Sequence, residues 1–275
     1  MAAYTTLADA FAAAKDNTTV ALLKDSDLSS SIAAPATGFV LDLNGFAANV
    51  VAKKLTVIDS STTETTVGTG RLVTNATVTP DHTVNDMRYI ALLRDGIYTF
   101  HRLSFKVSTI SLRTSAAGLY YTATLVCDYV LRDSISSYGV ALSTKRMPGA
   151  DFATAEDVLY TYYEDTPWIG TKITSCAVLD IFRQDADDNA ERGKTKIYAN
   201  AYLKLYNGTL IMAHDNTKQR IGGSVYDVLA VLVSEYTELP STTQDHLYNF
   251  ANQWKDIIIA YGFEKLLSDN IPESL

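Results

Sequence analysis

The chain is poor in cysteine, short of basic charge, and without a long apolar run. Among its 275 residues there are two cysteines, Cys127 and Cys176. Each sits in an apolar, strand-like stretch with no Cys or His at ligand spacing, so metal binding and thiol catalysis lack their usual partners. Two readings of the pair stay open: buried free thiols, or a disulfide between neighbouring strands. Lys and Arg total 23 against 31 Asp and Glu, a net charge of −8. No basic face stands out, which argues against nucleic acid as a partner. No apolar stretch approaches the roughly 20 residues needed to span a bilayer, so membrane insertion is not expected. Residues 1–6 do not open a charged-then-apolar leader. The chain is therefore read as intracellular, or as a piece of a longer protein. There is no G-x-S-x-G, no P-loop and no dinucleotide fingerprint.

What is present is β-prone. Apolar residues make up 47% of the chain, enough for a substantial core, and the length suits two domains. Seventeen tyrosines with many Thr, Ser and Val point to a β-rich protein with aromatic surface. Near the N-terminus, short apolar segments each end on Asp or Asn: Val20–Asp25, Phe39–Asn44, Leu55–Asp59 and Arg71–Asn75. Their terminal residues are 19, 15 and 16 positions apart. A βαβ unit needs about 30 residues. The shorter spacing suits stacked turns of a β-solenoid, in which each strand is buried against the next. Asp25, Asn44, Asp59 and Asn75 are read first as structural, because Asx side chains bond nearby backbone amides and tolerate left-handed conformations.

The flanking elements fit that plan. Thr6 can cap a short helix over residues 6–15, with Leu7, Ala10, Phe11 and Ala14 on one stripe. That helix is expected to cover the open apolar end of the first turn. Arg94, Asp95 and Gly96 separate two β-prone runs and predict a hairpin, with a domain boundary near residue 100. Beyond it, Leu103, Phe105 and Val107 alternate. Ile110 and Leu112 then take the opposite phase, which predicts a bulge near Ser108 and Thr109. Further strands are read at 120–130, 138–143, 173–182, 196–206 and 209–213, with Asn207-Gly208 as a two-residue turn. The pattern predicts a β-sandwich-like arrangement of antiparallel strands. Two helices close the chain, about 224–239 and 242–262. Gly222, Gly223 and Ser224 precede the first as an N-cap. Ser241 and Gln244 have capping-box spacing at the second, and Gly262 is expected to end it. The fold class is therefore mainly β: residues 1–100 a helix-capped solenoid, residues 101–275 an antiparallel domain with C-terminal helices.

Several of these segments resemble a known family. Leu7–Ala14 (LADAFAAA), Thr19–Asp25 (TVALLKD), Leu41–Gly45 (LDLNG) and Leu55–Asp59 (LTVID) are similar to the β-solenoid modules of large secreted surface proteins from gut Firmicutes. Arg113–Tyr121 and Ser137–Ser143 resemble the largely uncharacterised module that often follows. The resemblance covers about two-thirds of the chain and brings no catalytic residues. It implies an extracellular, cell-wall-attached bacterial protein of which this chain is a piece lacking signal peptide and anchor.

The candidate sites are few. Asp185, Asp187 and Asn189 match the start of a calcium loop, but Ala190 stands where the turn wants Gly, and Lys196 where a bidentate Glu belongs. The plain alternative is a solvated hairpin loop, and no other cofactor is suggested. His82, His101, His214 and His246 show no ligand spacing. Asp25, Asp42 and Asp59 are the only carboxylates a solenoid lyase or hydrolase would have, with Asp42 flanked by apolar neighbours and placed to point outward. Tyr198, Tyr202 and Tyr206 recur on one strand face. With Tyr120, Tyr121, Tyr162, Tyr163 and Trp168 they offer a surface for sugar stacking or a protein partner. Against that, the terminal helices are expected to cover this face. The preferred expectation is a non-enzymatic surface module, a stalk or adhesin segment presenting or binding host protein or glycan. The alternatives are a carbohydrate-active fragment or glycan-binding module, and a structural protein of a phage or other assembly.

Overall fold

The computed structural model describes residues 2–36, 38–63, 66–80, 87–115, 118–147, 149–161, 169–170, 172–213 and 221–267. The protein is mainly β, with 40% strand against 23% helix, distributed over several sheets. Among the described residues no helix is long and apolar enough to cross a membrane.

The first element is helix α1 (Leu7–Ala13), capped by Thr6, whose hydroxyl accepts the Asp9 N–H at 3.1 Å. Its apolar stripe ends in Phe11, which is buried with its ring 5.2 Å from that of Phe39. Seven short strands follow: β1 (Thr19–Ala21), β2 (Ile32–Ala33), β3 (Val40–Asp42), β4 (Ala47–Val51), β5 (Lys54–Ile58), β6 (Arg71–Thr74) and β7 (Thr77–Pro80). The odd-numbered strands form one ladder in the order β1-β3-β5-β7, and β2, β4 and β6 form a second. Every pairing within both ladders is parallel. The chain alternates between the ladders, so each return to the same ladder completes one turn. Partners in the first ladder are offset by 21, 16 and 23 residues, as Thr19 with Val40, Val40 with Thr56 and Lys54 with Thr77.

A turn therefore carries two strands where the sequence pattern suggested one. Arg71–Thr74 does not continue the row of β1, β3 and β5, because it pairs with β4 in the second ladder. Strands β2, β4 and β7 were not legible as strands. The sequence of β4, Ala-Ala-Asn-Val-Val, is too weak in β-propensity to announce itself. The alternation of strand side chains then sends Leu41, Leu55 and Val57 inward from one ladder, and Ala48, Val50 and Leu72 from the other. These belong to one core cluster with Phe11, Leu22, Phe39 and Leu43. Each fully buried Leu or Val contributes roughly 1.5–3 kcal/mol.

Strands β8 (Met87–Arg94) and β9 (Ile97–Arg113) form the predicted hairpin, with Arg94 paired to Ile97. Asp95 and Gly96 hold φ of 50° and 77°, the left-handed pair that a two-residue turn requires. Strand β9 lies antiparallel to β6, pairing Leu72 with Tyr98, so parallel addition to that ladder stops there. Within β9 the inward phase passes from Leu103 and Val107 to Ile110 and Leu112, the slip anticipated near residue 108.

Next come β10 (Gly118–Cys127), helix α2 (Tyr129–Arg132), β11 (Ile135–Ser143), β12 (Leu159–Thr161) and β13 (Lys172–Asp180). The strand read at 120–130 ends three residues early because Asp128 caps α2, accepting the Leu131 N–H at 2.8 Å. The remaining elements are α3 (Asn189–Arg192), β14 (Ile197–Leu205), β15 (Leu210–Met212), β16 (Ile221–Gly223), α4 (Val225–Ser234), α5 (Ser241–Gln253) and α6 (Lys255–Ala260).

The chain divides into two compact units. One comprises Met1–Phe105, Leu125–Ile135 and Pro167–Ile173; the other comprises Lys106–Thr124, Ser136–Thr166 and Thr174–Leu275. A single cut near residue 100 misses the two later segments of the first unit.

In the second unit a five-stranded sheet runs β12-β11-β14-β15, with β16 also on β14. The β11–β12, β14–β15 and β14–β16 pairings are antiparallel. The β14–β15 connection has a three-residue loop, Tyr206 to Gly208, closed by the Leu205 N–H on Thr209 O. Of Asn207 and Gly208 only Gly208 has positive φ, at 87°, which corrects the expected two-residue turn. Ser224 caps α4 in a full capping box with Asp227. The box expected at Ser241 and Gln244 is absent, because Pro240 occupies the N-cap. The Gln244 amide instead donates to the carbonyls of Tyr236 and Leu239. The last predicted helix is split at Trp254, whose φ and ψ of −117° and 38° leave the helical region.

Candidate functional site

The groups able to do chemistry gather mainly in the first unit, along the corners where strands end. Asp25 accepts the Ala47 N–H at 2.8 Å. Asp42 Oδ1 accepts the N–H groups of Asn44 and Ser60, both at 2.9 Å. Asn44, with φ of 47°, donates its side-chain amide to Leu22 O at 3.0 Å and accepts the Ser60 hydroxyl at 3.3 Å. Asp59 is fully buried. Its Oδ1 accepts from Gly45 N, Ser61 N and the Ser61 hydroxyl, and its Oδ2 from Gly70 N and the Thr62 hydroxyl. The aspartates satisfy backbone donors at their own corner or on an adjacent turn, where the corner itself leaves them unpaired. Asn75 does the same at 3.3 Å for Ala52 N, but at the corner that follows the second ladder.

This geometry corrects the outward reading of Asp42, which is only 8% exposed. A general acid or nucleophile needs a lone pair or proton facing substrate. Asp59 has both oxygens engaged and no exposure. Beside these carboxylates, Tyr89 is buried and accepts the Arg102 Nε–H at 2.9 Å. Burial raises its phenol pKa, with the Arg102 guanidinium opposing and Asp42 and Asp59 adding to the rise.

A second polar centre was not visible in the sequence. His101 Nδ1 lies 2.8 Å from Asp128 Oδ2, and His101 Nε2 lies 3.1 Å from the Thr99 hydroxyl. Donation from Nδ1 to the carboxylate leaves Nε2 to accept from Thr99. The connectivity is that of a hydroxyl–imidazole–carboxylate relay. Its surroundings point to a structural role instead. His101 and Asp128 have no solvent exposure, and the other Asp128 oxygen caps α2. The relay fastens residues 125–135 to β9 within one unit. Twenty-seven residues separate the partners, and no local spacing rule links them.

Both cysteines are free thiols. Burial, with Asp128 adding, pushes the Cys127 thiol up to about 12. Cys176 is half-buried and accepts the Tyr120 hydroxyl at 2.6 Å.

The proposed tyrosine row is not one exposed surface. Tyr202 is buried, with its ring edge-on to Tyr160 at 5.0 Å, in a cluster with Ala141, Phe152 and Met212. Tyr198 is half-buried beside Gly222, its strand partner, where a Cβ would stand 2.4 Å from the ring. Tyr206 alone is open, 77% exposed at the hairpin tip. Among the described residues the cluster on Tyr202 is completed by Met147, Val158, Tyr160, Tyr198 and Leu210, with no member from the terminal helices that were expected to cover this face. The helices pack elsewhere, with Phe250 and Trp254 on Phe182 and the Tyr261 hydroxyl donating to Ala190 O at 2.8 Å. Tyr162, Tyr163, Trp168, His82 and His214 lie outside the described residues.

The loop read as a calcium candidate is organised around its own backbone. Asn189 is buried, accepting the Arg183 N–H at 2.9 Å and donating to Arg183 O at 2.6 Å. Asp185 and Asp187 are exposed. Among the described residues no group of three or more His, Cys, Asp or Glu side chains is placed to hold a metal ion.

No protein-family model, curated protein or solved structure matches this chain.

Proposed function

We propose that this chain is a non-enzymatic module of an extracellular bacterial surface protein. In this reading the first hundred residues are a short β-solenoid closed at both ends, and the β-rich second unit is sandwich-like. The observation that carries the proposal is the fate of the corner carboxylates. Asp25 and Asp42 each accept a backbone N–H from the following turn, and Asp59 accepts those of Gly45 on the preceding turn and Gly70 at its own corner. Side chains spent in this way hold a scaffold together, and at Asp59, fully buried with both oxygens engaged, nothing is left for a substrate. The two parallel ladders support the solenoid reading. Helix α1 over Phe39 at one end, and the antiparallel strand β9 at the other, support a finite rigid spacer rather than an array that extends by stacking. The segments around residues 7–14, 19–25, 41–45 and 55–59 that resemble secreted surface modules supply the cellular setting.

A membrane-impermeant biotinylation reagent applied to intact source cells tests the setting. Labelling before lysis is expected; labelling only after lysis overturns it. Arrays of glycans and extracellular-matrix proteins, followed by a reducing-sugar assay on any bound glycan, test the activity. Binding without turnover fits the proposal. Turnover abolished by Asp42→Ala replaces it with a carbohydrate-active role.

A further inference from the structure

The sequence contains two Asn-Gly dipeptides, Asn44-Gly45 and Asn207-Gly208. In a flexible peptide both have the same reactivity, since glycine offers no side chain to shield its amide nitrogen. The fold separates them. We propose that Asn207 is a site of spontaneous deamidation in the native chain, while Asn44 is locked against it.

The reaction needs only solvent water. The Gly208 amide nitrogen gives up its proton and attacks Cγ of Asn207, forming a five-membered succinimide. The Cγ–Nδ2 bond breaks, and the amide leaves as ammonia carrying that proton. Water then opens either ring carbonyl, giving an aspartyl or an isoaspartyl residue. Two things decide the rate: freedom of the glycine nitrogen to approach Cγ, and stabilisation of the oxygen that gains charge on Cγ.

At the hairpin tip the oxygen has its donor, and the glycine nitrogen is held by a single turn bond in an exposed loop. Residues 206–209 are all exposed, so the loop can rearrange and water has access. The Asn207 side-chain oxygen accepts the Thr209 N–H at 3.0 Å. This bond folds the side chain back over Gly208 and places a donor on the oxygen that becomes negative during attack. The Gly208 nitrogen is tied by a turn bond to Leu205 O, 2.9 Å long, in this exposed loop.

Asn44 is held at every atom that must move. The Gly45 N–H is bound to the buried Asp59 carboxylate at 2.8 Å. The Asn44 amide nitrogen, which must leave, is bound to Leu22 O at 3.0 Å. Its backbone is fixed at φ 47° between two turns of the chain. Ring closure here requires breaking the corner of the ladder.

The product has consequences for the β14–β15 hairpin. An isoaspartyl residue adds a methylene to the main chain inside a three-residue loop, and either product adds a negative charge. The pairs nearest the tip, Lys204 with Leu210 and Leu203 with Ile211, would loosen first.

The test is a time course of the full chain in mildly alkaline buffer, run native and in denaturant. Peptide mapping by mass spectrometry, with fragmentation that distinguishes isoaspartate from aspartate, scores each site. In denaturant both sites should convert at comparable rates. In the native chain Asn207 should convert at close to its denatured rate, and Asn44 at least an order of magnitude more slowly. Native protection of Asn207, or native conversion of Asn44 at its denatured rate, overturns the proposal.

Discussion

Asp59 Oδ2 accepts the backbone N–H of Gly70 at 2.9 Å, and a Cβ on that glycine would stand 2.4 Å from the same oxygen. The carboxylate and the glycine therefore depend on each other: the bond forms because the backbone can come this close. Asp59→Ala leaves the N–H donors of half-buried Gly45 and buried Gly70 without a partner, each costing about 1–3 kcal/mol. The expected loss is roughly 2–5 kcal/mol, read as a lower urea midpoint with unchanged slope. A shift within experimental error would remove Asp59 from its place as the central tie of this unit.

Gly70→Ala should act through crowding. The new methyl also meets Leu43 Cβ at 2.9 Å, so both a carboxylate and a core side chain must give way. Overpacking of this kind costs about 1–3 kcal/mol. Gly96→Ala is the comparison, since no atom lies within 4 Å of its Cβ position and only the positive φ opposes the change. Its cost should be about 1–2 kcal/mol. Paired thermal melts check the ranking, and equal losses would indicate that the Gly70 site relaxes freely.

Phe11→Ala tests the closing of the chain's first turn. The ring is 3% exposed and packs on Phe39. A Phe-to-Ala change in a core costs about 3–5 kcal/mol. If α1 shields the end of the ladders, light scattering should also show self-association at concentrations where the parent chain is monodisperse. Lost stability without association would mean that α1 packs but does not protect.

His101→Ala removes the link between β9 and the carboxylate that caps α2. Asp128 keeps its cap to Leu131 N but loses its anchor. Amide hydrogen exchange should accelerate over residues 129–132 while β3 and β5 keep their protection. Uniform acceleration would mark a global rather than a local tie.

Thiol chemistry gives a prediction with a definite sign. Cys127 has its pKa raised from 9.0 to about 12, chiefly by burial. The neutral thiol is thus favoured in the fold. Its contribution is complete below pH 9 and is lost as pH climbs through about 12. Iodoacetamide at neutral pH should modify Cys176 ahead of Cys127 in the native chain and both equally in denaturant. Prompt native labelling of Cys127 would contradict its burial.

Local rules carried far in this chain. Thr6 as a cap, the Asp95-Gly96 turn, the Ser224 N-cap and the phase change inside β9 depend on residues close in sequence, so their physics is written there. The Asx corners were legible as structural because short polar side chains at strand ends have few other uses. The row they form was only half legible. Asn75 shares the residue type of Asn44 but serves the other corner, since the intervening strand β4 is too plain in composition to be counted. Two further expectations failed, and one contact lay out of sight of the sequence. Tyr202 alternates with apolar residues like an exposed tyrosine, yet Phe152 and Tyr160 cover it. Gln244 has capping-box spacing, but Pro240 displaces the cap. His101 and Asp128 meet across 27 residues with nothing local to join them.

The sequence by itself determined that strands dominate, where many of the turns fall, and which polar residues end them, because propensity, alternation and turn chemistry act over a few residues. The tertiary structure decided which strands pair, that they pair in two parallel ladders, and which Asp, His and Tyr side chains are consumed in holding them. Parallel pairing joins residues 16 to 24 positions apart through backbone groups that every residue carries alike. Its register is settled only when the apolar faces of all the turns are buried together.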